Sequence, residues 1–250
     1  MKVAAMKKIR ALLVVGCLIP GITMAAGNMT NDSFSKAKRW MQQKIYVDSN
    51  LRKTIYCGAS FDTNKRITLP DGFTTTKYLK RQYKWEAEHV VAAENFGRTF
   101  KAWREGDPKC VNSKGKSFKG RNCASKVSEE YRYMQADLYN LFPAIGSVNA
   151  ARQNYNFTVL PGTKSLFGSC DMHIQNHKVQ PPEAARGRIA RTHLYFDAVY
   201  PRYTLSAAQR KLMIAWDKQY PVSSSECEIG KRVKAIQHSS NPILEARCNY

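Results

Sequence analysis

Trp85-Glu86-Ala87-Glu88-His89-Val90-Val91 is the stretch on which the reading of this chain turns. Trp85, Ala87, His89 and Val91 recur at every second position, the period of a strand with one buried face, so residues 84–91 are expected to form a short strand. The stretch also sets a carboxylate beside an imidazole. A histidine takes a proton from water near neutral pH. A carboxylate with an amide oxygen holds a hard cation such as Mg²⁺, which keeps several waters. Neighbouring strand residues point to opposite faces, so Glu88 and His89 can serve one site only near a strand end or a bend. Alone, the pair is a weak signal, because a histidine in an apolar strand is more often structural than catalytic.

Outward from this stretch the chain reads as helix-rich. Asn31-Asp32-Ser33 caps a helix carrying Phe34, Ala37, Met41 and Ile45 on one face. Residues 63–76 read as turns around Pro70-Asp71-Gly72. Residues 105–125 hold Gly106, Pro108, Gly115 and Gly120 and read as a loop. Ser128-Glu129-Glu130 starts a helix with Tyr131, Met134, Leu138 and Leu141 at helical spacing, ended by Pro143. On that helix Asp137 and Asn140 read as structural hydrogen-bonders. Residues 146–155 read as a turn and a short helix, where Asn149 could simply cap or pin the helix. Pro181-Pro182-Glu183 opens a helix toward Tyr200, and Ser206-Ala-Ala-Gln209 is a capping box ahead of Leu212, Trp216 and Tyr220. There is no internal repeat and no low-complexity linker. The fold class is α+β, a helix-rich single domain with a few short strands.

Residues 1–26 read as a secretory signal peptide: Lys2, Lys7, Lys8 and Arg10, then an apolar run, then Met24-Ala25-Ala26. Cys17 in Val14-Val15-Gly16-Cys17 offers a lipoprotein box, ranked second because the apolar run continues past it. Residues 27–250 form the working domain, and no run suits an internal transmembrane helix. Six cysteines remain after the signal: Cys57, Cys110, Cys123, Cys170, Cys227 and Cys248. An even count in an exported chain points to three disulfides. Cys110 and Cys123 flank a loop and are the natural local pair; Cys227 and Cys248 could clip the C-terminus.

The formal charge of +21 calls for a polyanion as partner. Residues 109–126 hold six basic residues and no acid, with Lys114, Lys116 and Lys119 among asparagines and serines. Such a loop neutralises phosphates without reading bases. Arg186, Arg188 and Arg191 read equally as DNA contacts or a solvated helix face. His173 and His177 have helical zinc spacing but sit in a loop-like neighbourhood without an intervening Glu, and are set aside. No Gly-x-Ser-x-Gly elbow or P-loop supports a serine hydrolase or an NTPase.

Several blocks together resemble the bacterial periplasmic and secreted endonuclease I family, whose members use a ββα-metal (His-Me finger) site. They are 85–91, Asn95-Phe-Gly97, Lys119-Gly-Arg-Asn-Cys123, and above all Ala136-Asp-Leu-Tyr-Asn-Leu-Phe-Pro-Ala-Ile-Gly-Ser-Val-Asn149. Pro181-Pro-Glu, Ala185-Arg-Gly-Arg-Ile-Ala-Arg191 and Ala215-Trp-Asp217 extend the likeness, which covers residues 51–248. It implies His89 as the general base, Glu88 and Asn149 as protein ligands of one Mg²⁺ (other divalent ions being open), and Arg121, within one position, as the phosphate-stabilising arginine. Asn154 is supporting, and Lys114, Lys116, Lys119 and Arg152 are nucleic-acid contacts. The implied reaction is phosphodiester hydrolysis to 5′-phosphate ends, with Mg²⁺ polarising the phosphate and stabilising the leaving 3′ oxygen.

The chain departs from the pattern at two places. Some members carry a carboxylate where this chain has Gln135. Many read Tyr-Cys-Gly-Cys where this chain has Tyr56-Cys57-Gly58-Ala59, with the partner cysteine also missing near residues 70–72, so four bridges become three. The expectation is a monomeric, periplasmic or secreted, Mg²⁺-dependent endonuclease that cuts DNA largely regardless of sequence, with RNA open as a second substrate. The alternative is a non-catalytic cationic nucleic-acid-binding protein.

Overall fold

The computed structural model describes residues 27–249, so the expected signal peptide lies outside the described residues. In chain order the elements begin with α1 (Phe34–Trp40), continued by a wider turn over Met41–Ile45. Next come β1 (Ser60–Phe61), β2 (Ile67–Thr68), β3 (Trp85–His89), α2 (Ala93–Gly97), α3 (Lys101–Arg104), α4 (Arg121–Val127) and α5 (Glu129–Gln135). Then follow β4 (Leu141–Ile145), α6 (Gly146–Arg152), β5 (Asn156–Phe157), β6 (His173–Gln175) and β7 (Lys178–Gln180). The chain closes on α7 (Glu183–Val199), α8 (Ala207–Gln219), α9 (Ser224–Gln237) and α10 (Pro242–Glu245). The architecture of the described residues is α+β, helix-rich, with three separate small sheets: β1–β2, β3–β4 and β5–β7–β6.

The strand carrying Glu88 and His89 forms where alternation placed it and stops at His89, the strand end that a shared site requires. Its partner was not expected. The helix after Ser128, expected to run through Leu141 to a stop at Pro143, ends at Gln135, and Leu141–Ile145 is instead a strand. β3 and β4 pair antiparallel from Trp85↔Ile145 to His89↔Leu141. Ala136 leaves the helix, and Asp137 Oδ1 accepts from Tyr139 N–H at 3.0 Å to cap a tight turn over Leu138–Asn140. Pro143 is tolerated because β4 is an edge. Its C=O accepts from Ile55 N–H at 2.8 Å on the side away from β3, and a strand residue's N–H and C=O face the same side. The missing N–H therefore costs no ladder bond.

Two further expectations are corrected. The loop over 105–125 ends early, at Gly120 (φ 76°), because α4 begins at Arg121. The helix α9 went unread, although Ser223-x-x-Glu226 is a capping pattern whose Ser223 Oγ accepts from Glu226 N–H at 3.2 Å. The caps that were read do form: Ser33, Ser128 and Ser206 each accept a backbone N–H from three residues on. The disulfides are Cys110–Cys123, Cys227–Cys248 and, from the remaining two cysteines, Cys57–Cys170.

The core is one continuous cluster in which Phe96 lies fully buried among Tyr131, Phe196 and the His89 ring. Burying one such phenyl ring contributes about 2–3 kcal/mol. Asp137, also fully buried, accepts from Tyr195 Oη (2.8 Å), Tyr200 Oη (2.5 Å) and Gln237 Nε2 (2.9 Å), tying α7 and α9 to the turn before β4. Asn140 bonds both backbone groups of Val91. Both residues are thus structural, as expected, though they sit at the cap and end of a short 3-10 turn rather than on the α-helix that was expected. A small satellite core of Ala102, Cys110 and Cys123, with Phe118 and Val127 packed on it, anchors the basic loop.

Candidate active site

β3, β4 and α6 are consecutive in space, and α6 starts on the residue after β4. That turn needs a glycine. A Cβ on Gly146 would lie 2.5 Å from the Arg81 carbonyl oxygen and 2.8 Å from Glu86 Oε1. The close approach lets α6 bring Asn149 over β3. A cleft of about 370 Å³ opens there, lined by Glu88, His89, Arg121, Asn149, Gln153 and Asn154 among others. The structure thus brings together all five residues assigned to catalysis, metal or support: Glu88, His89, Arg121, Asn149 and Asn154.

His89 is buried between the rings of Phe34 (5.0 Å) and Phe96 (6.3 Å). Its Nε2 lies 2.8 Å from the Gln135 carbonyl oxygen. A carbonyl only accepts, so Nε2 carries the proton and donates, and Nδ1 keeps a lone pair. Nδ1 has no hydrogen-bond partner among the described residues. Burial, then the nearby Arg121 charge, push the imidazole down to about 3, so it is neutral at working pH.

Glu88 is buried, with Oε1 accepting from Tyr56 Oη at 2.5 Å and Arg152 Nη1 at 3.0 Å. Oε2 has no such partner among the described residues. Burial pushes this carboxyl above the usual carboxylate range, against the pull of Arg152 and Tyr56. A carboxylate whose charge is disfavoured gains from a further cation beside its free oxygen. Asn149 Nδ2 donates to Glu86 Oε2 at 2.8 Å. That bond fixes the amide and leaves Oδ1 unpartnered among the described residues. Glu86 is itself held by Arg81, whose Nε donates to Oε1 at 2.7 Å and whose Nη2 pairs with Oε2. The cleft therefore presents one carboxylate oxygen and one amide oxygen, a hard donor set that suits Mg²⁺ with waters completing its shell. Among the described residues no group of three or more His, Cys, Asp or Glu side chains could hold a metal.

Arg121, exposed at the first turn of α4, lies over the Phe34 ring at 5.1 Å. With the Gln135 amide oriented to satisfy its neighbours, its oxygen accepts from Arg121 Nη2 (2.7 Å) and Nε (2.8 Å), and its nitrogen donates to Ser125 Oγ (2.9 Å). Gln135 thus orients His89 through its backbone and Arg121 through its side chain. A neutral amide fixes the guanidinium without cancelling its charge.

Arg152 is corrected from a surface phosphate contact to a buried ion. It is 1% exposed, and Nη1 donates to Glu88 Oε1 and to the His89 carbonyl (2.8 Å) while Nη2 donates to the Val90 carbonyl (2.6 Å). Lys114, Lys116 and Lys119 are exposed, outside the cleft, on the loop that Cys110–Cys123 closes and that runs into Arg121. Arg191 is likewise buried, paired with Glu226 and Asp217. His173 lies on β6 and His177 in the turn before β7, so their helical spacing has no helix. Sequence reasoning missed Glu86, Tyr56 and the role of Arg152. Glu86 had one signal: it shares a strand face with Glu88, two residues on.

The Endonuclease I family profile matches residues 33–248. The chain is 37% identical over 223 residues to an extracellular deoxyribonuclease of Aeromonas hydrophila, covering 86% of this chain and 90% of that protein. A periplasmic deoxyribonuclease of the same species is 38% identical over 202 residues (78% and 79% covered). Endonuclease-1 of Buchnera aphidicola subsp. Acyrthosiphon pisum is 33% identical over 211 residues (82% and 78%).

Proposed function

The chain belongs to the endonuclease I family, and from that premise we propose that it is an exported, Mg²⁺-dependent endonuclease that hydrolyses DNA largely regardless of sequence and leaves 5′-phosphate ends. Relatives named for extracellular and periplasmic deoxyribonuclease activity support DNA as substrate and a periplasmic or secreted location. The observation that carries the reading is one cleft lined, beside an exposed arginine, by three residues that each keep an atom unpartnered among the described residues. The atoms are His89 Nδ1, Glu88 Oε2 and Asn149 Oδ1, with Arg121 at the wall. A protein that only coats polyanions has no use for a buried neutral imidazole held by Gln135. On this reading β3, β4 and α6 form the ββα-metal unit.

The basic loop of Lys114, Lys116 and Lys119 draws the phosphate backbone toward Arg121. Arg121 binds a non-bridging oxygen of the scissile phosphate and stabilises the charge that builds there. His89 Nδ1 takes a proton from the attacking water, while Nε2–H stays on Gln135, so the ring does not turn as it becomes charged. The free histidine is a weak base partly because Arg121 is near; an incoming phosphodiester offsets that charge and raises the basicity of Nδ1. Glu88 Oε2 and Asn149 Oδ1 would hold one Mg²⁺, which when bound supplies positive charge to the phosphate and the leaving 3′ oxygen. Glu86 keeps the Asn149 oxygen turned to the cleft.

The test is plasmid nicking by the mature oxidised protein, with Mg²⁺ and with EDTA, beside His89→Ala. Cutting that needs Mg²⁺ and disappears in the variant is expected. A band shift without cutting under any divalent ion would make the chain a binding protein on a nuclease scaffold.

A further inference from the structure

The catalytic cleft does not end at Gln153 and Asn154. Both residues also line a second cleft of about 420 Å³ with Asn95, Arg98, Asn156 and His177. Asn95, Arg98 and Asn156 in turn line a third, about 320 Å³, that reaches Ser206 and Gln209. The three make one groove leaving the site on the side of α6 and β5. Its walls differ from the lysine loop at Arg121. Along the second and third clefts they are mostly amides and hydroxyls, and the one Lys or Arg among the described residues lining them, Arg98, is paired with Glu94. Asn95 Nδ2 donates to Asn156 Oδ1 at 3.2 Å, which leaves an acceptor on Asn95 and a donor on Asn156.

At the junction of the first two clefts the backbone is strained. Tyr155 N–H donates to the Arg152 carbonyl at 3.2 Å, closing a four-residue turn with Gln153 second, at φ 52°, ψ −130°. That is the first central position of a type II′ turn, where glycine is favoured and a side chain is costly. Strain of this kind persists where a side chain is needed in place.

We propose that this groove carries the DNA strand away from the scissile phosphate, with Gln153 at its mouth and Asn95 and Asn156 along it bonding sugars and base edges. A nucleic acid is a polymer, so nucleotides flanking the cut must leave the cleft, and this groove opens from it. Every base pair presents acceptors on its minor-groove edge, so an amide donor that reaches this edge binds largely without selecting sequence. One side of the substrate is thus held by charge and the other by neutral hydrogen bonds. The inference rests on the nuclease reading and assigns the substrate path of that same site.

The experiment measures the Kd of a labelled short DNA duplex by fluorescence anisotropy in EDTA, across a salt series, with melting temperature and Mg²⁺-dependent cleavage beside it. Gln153→Gly should raise Kd roughly three- to tenfold, the worth of one lost hydrogen bond or a little more, while the melting temperature rises because strain is relieved. Asn156→Ala should also raise Kd. Both should keep the wild-type slope of log Kd against log salt, whereas Lys116→Ala should flatten it by about one phosphate contact. A residue that served only the turn would move stability and leave Kd alone. Wild-type Kd in both groove variants would overturn the proposal, as would a changed salt slope. If the groove variants lose affinity but the wild type never cuts, the nuclease reading fails and the groove stands as a DNA-binding track.

Discussion

Arg152→Met removes a buried cation while keeping most of its bulk, and it isolates the charge balance beneath the site. The Arg152 and Glu88 side chains are 1% and 4% exposed, and their pair is one of three bonds the guanidinium makes, the others going to the His89 and Val90 carbonyls. Removing one partner of such a pair costs about 3–5 kcal/mol, because the remaining charge is left buried alone. For a chain of this size that lowers the melting temperature by roughly 6–20 °C. Glu88 cannot stay charged there, so its proton is held to higher pH than in the unfolded chain. Where the folded state binds the extra proton, stability falls as pH rises. The variant should therefore lose more stability between about pH 5 and about pH 8 than the wild type does, in EDTA. Adding Glu88→Gln to Arg152→Met removes both charges and should restore a large part of the loss. Thermal melts of the three proteins at both pH values decide it. If the variant shows the wild-type pH slope and the double substitution melts no higher, Arg152 does not act by compensating Glu88.

Gly146→Ala should lower the melting temperature, because the new Cβ would press on the Arg81 carbonyl oxygen, and should raise the Mg²⁺ needed for half-maximal cleavage several-fold, because it also crowds Glu86, which holds Asn149; an unchanged melting temperature and Mg²⁺ requirement would show that this close approach does not set the site. His193 is buried and pushed down to about 3 by desolvation, so its contribution is present above the unfolded value and lost as pH falls toward the folded one. His193→Gln should accordingly destabilise less at about pH 5 than at about pH 7, by ~2 kcal/mol in urea unfolding, and an equal penalty at both would refute the assignment. Opening Cys57–Cys170 (sequence separation 113) by paired alanines should cost more than opening Cys110–Cys123 (separation 13), about 4–5 against about 3 kcal/mol by loop closure, as read from denaturant midpoints.

What was legible in the sequence depended on whether the signal was local. β3 announced itself because one face is buried, and α1, α7 and α8 because serine or proline marks their starts. β4 did not, since Leu141-Phe142-Pro143-Ala144-Ile145 is buried throughout and shows no alternation. Its proline is a helix stop by local rules and harmless only on an edge that tertiary structure creates. The same divide runs through the site. Glu88 and His89 stood out by adjacency, and Asn149 and Arg121 by their place in motifs. The roles of Glu86, Tyr56 and Arg152 depend on which charges end up buried together, and no spacing rule carries that. Arg152 was misread for this reason: in a chain of +21 an arginine is by default a surface cation.

The charges around the cleft imply one more property of the site. Glu88 is offset by Arg152 and Glu86 by Arg81, while Arg121 is held by a neutral amide and keeps its charge. The donor set suits Mg²⁺, but without substrate the ion-paired carboxylates leave little net negative charge to hold it, while Arg121 stays free to hold an anion. A phosphodiester in the cleft adds the missing negative charge, so Mg²⁺ and DNA should bind with positive coupling, each raising the affinity of the other by the same factor, roughly 5- to 150-fold. Counterion competition makes the opposite the ordinary case, since Mg²⁺ weakens proteins that grip phosphates by charge alone. The measurement uses His89→Ala so that the duplex stays intact, and compares duplex Kd with and without Mg²⁺ at matched ionic strength. Gln135→Glu, which sets a carboxylate against Arg121, should shrink the coupling. Equal or weaker binding of the duplex in Mg²⁺ would mean that the metal and the phosphate do not share this cleft.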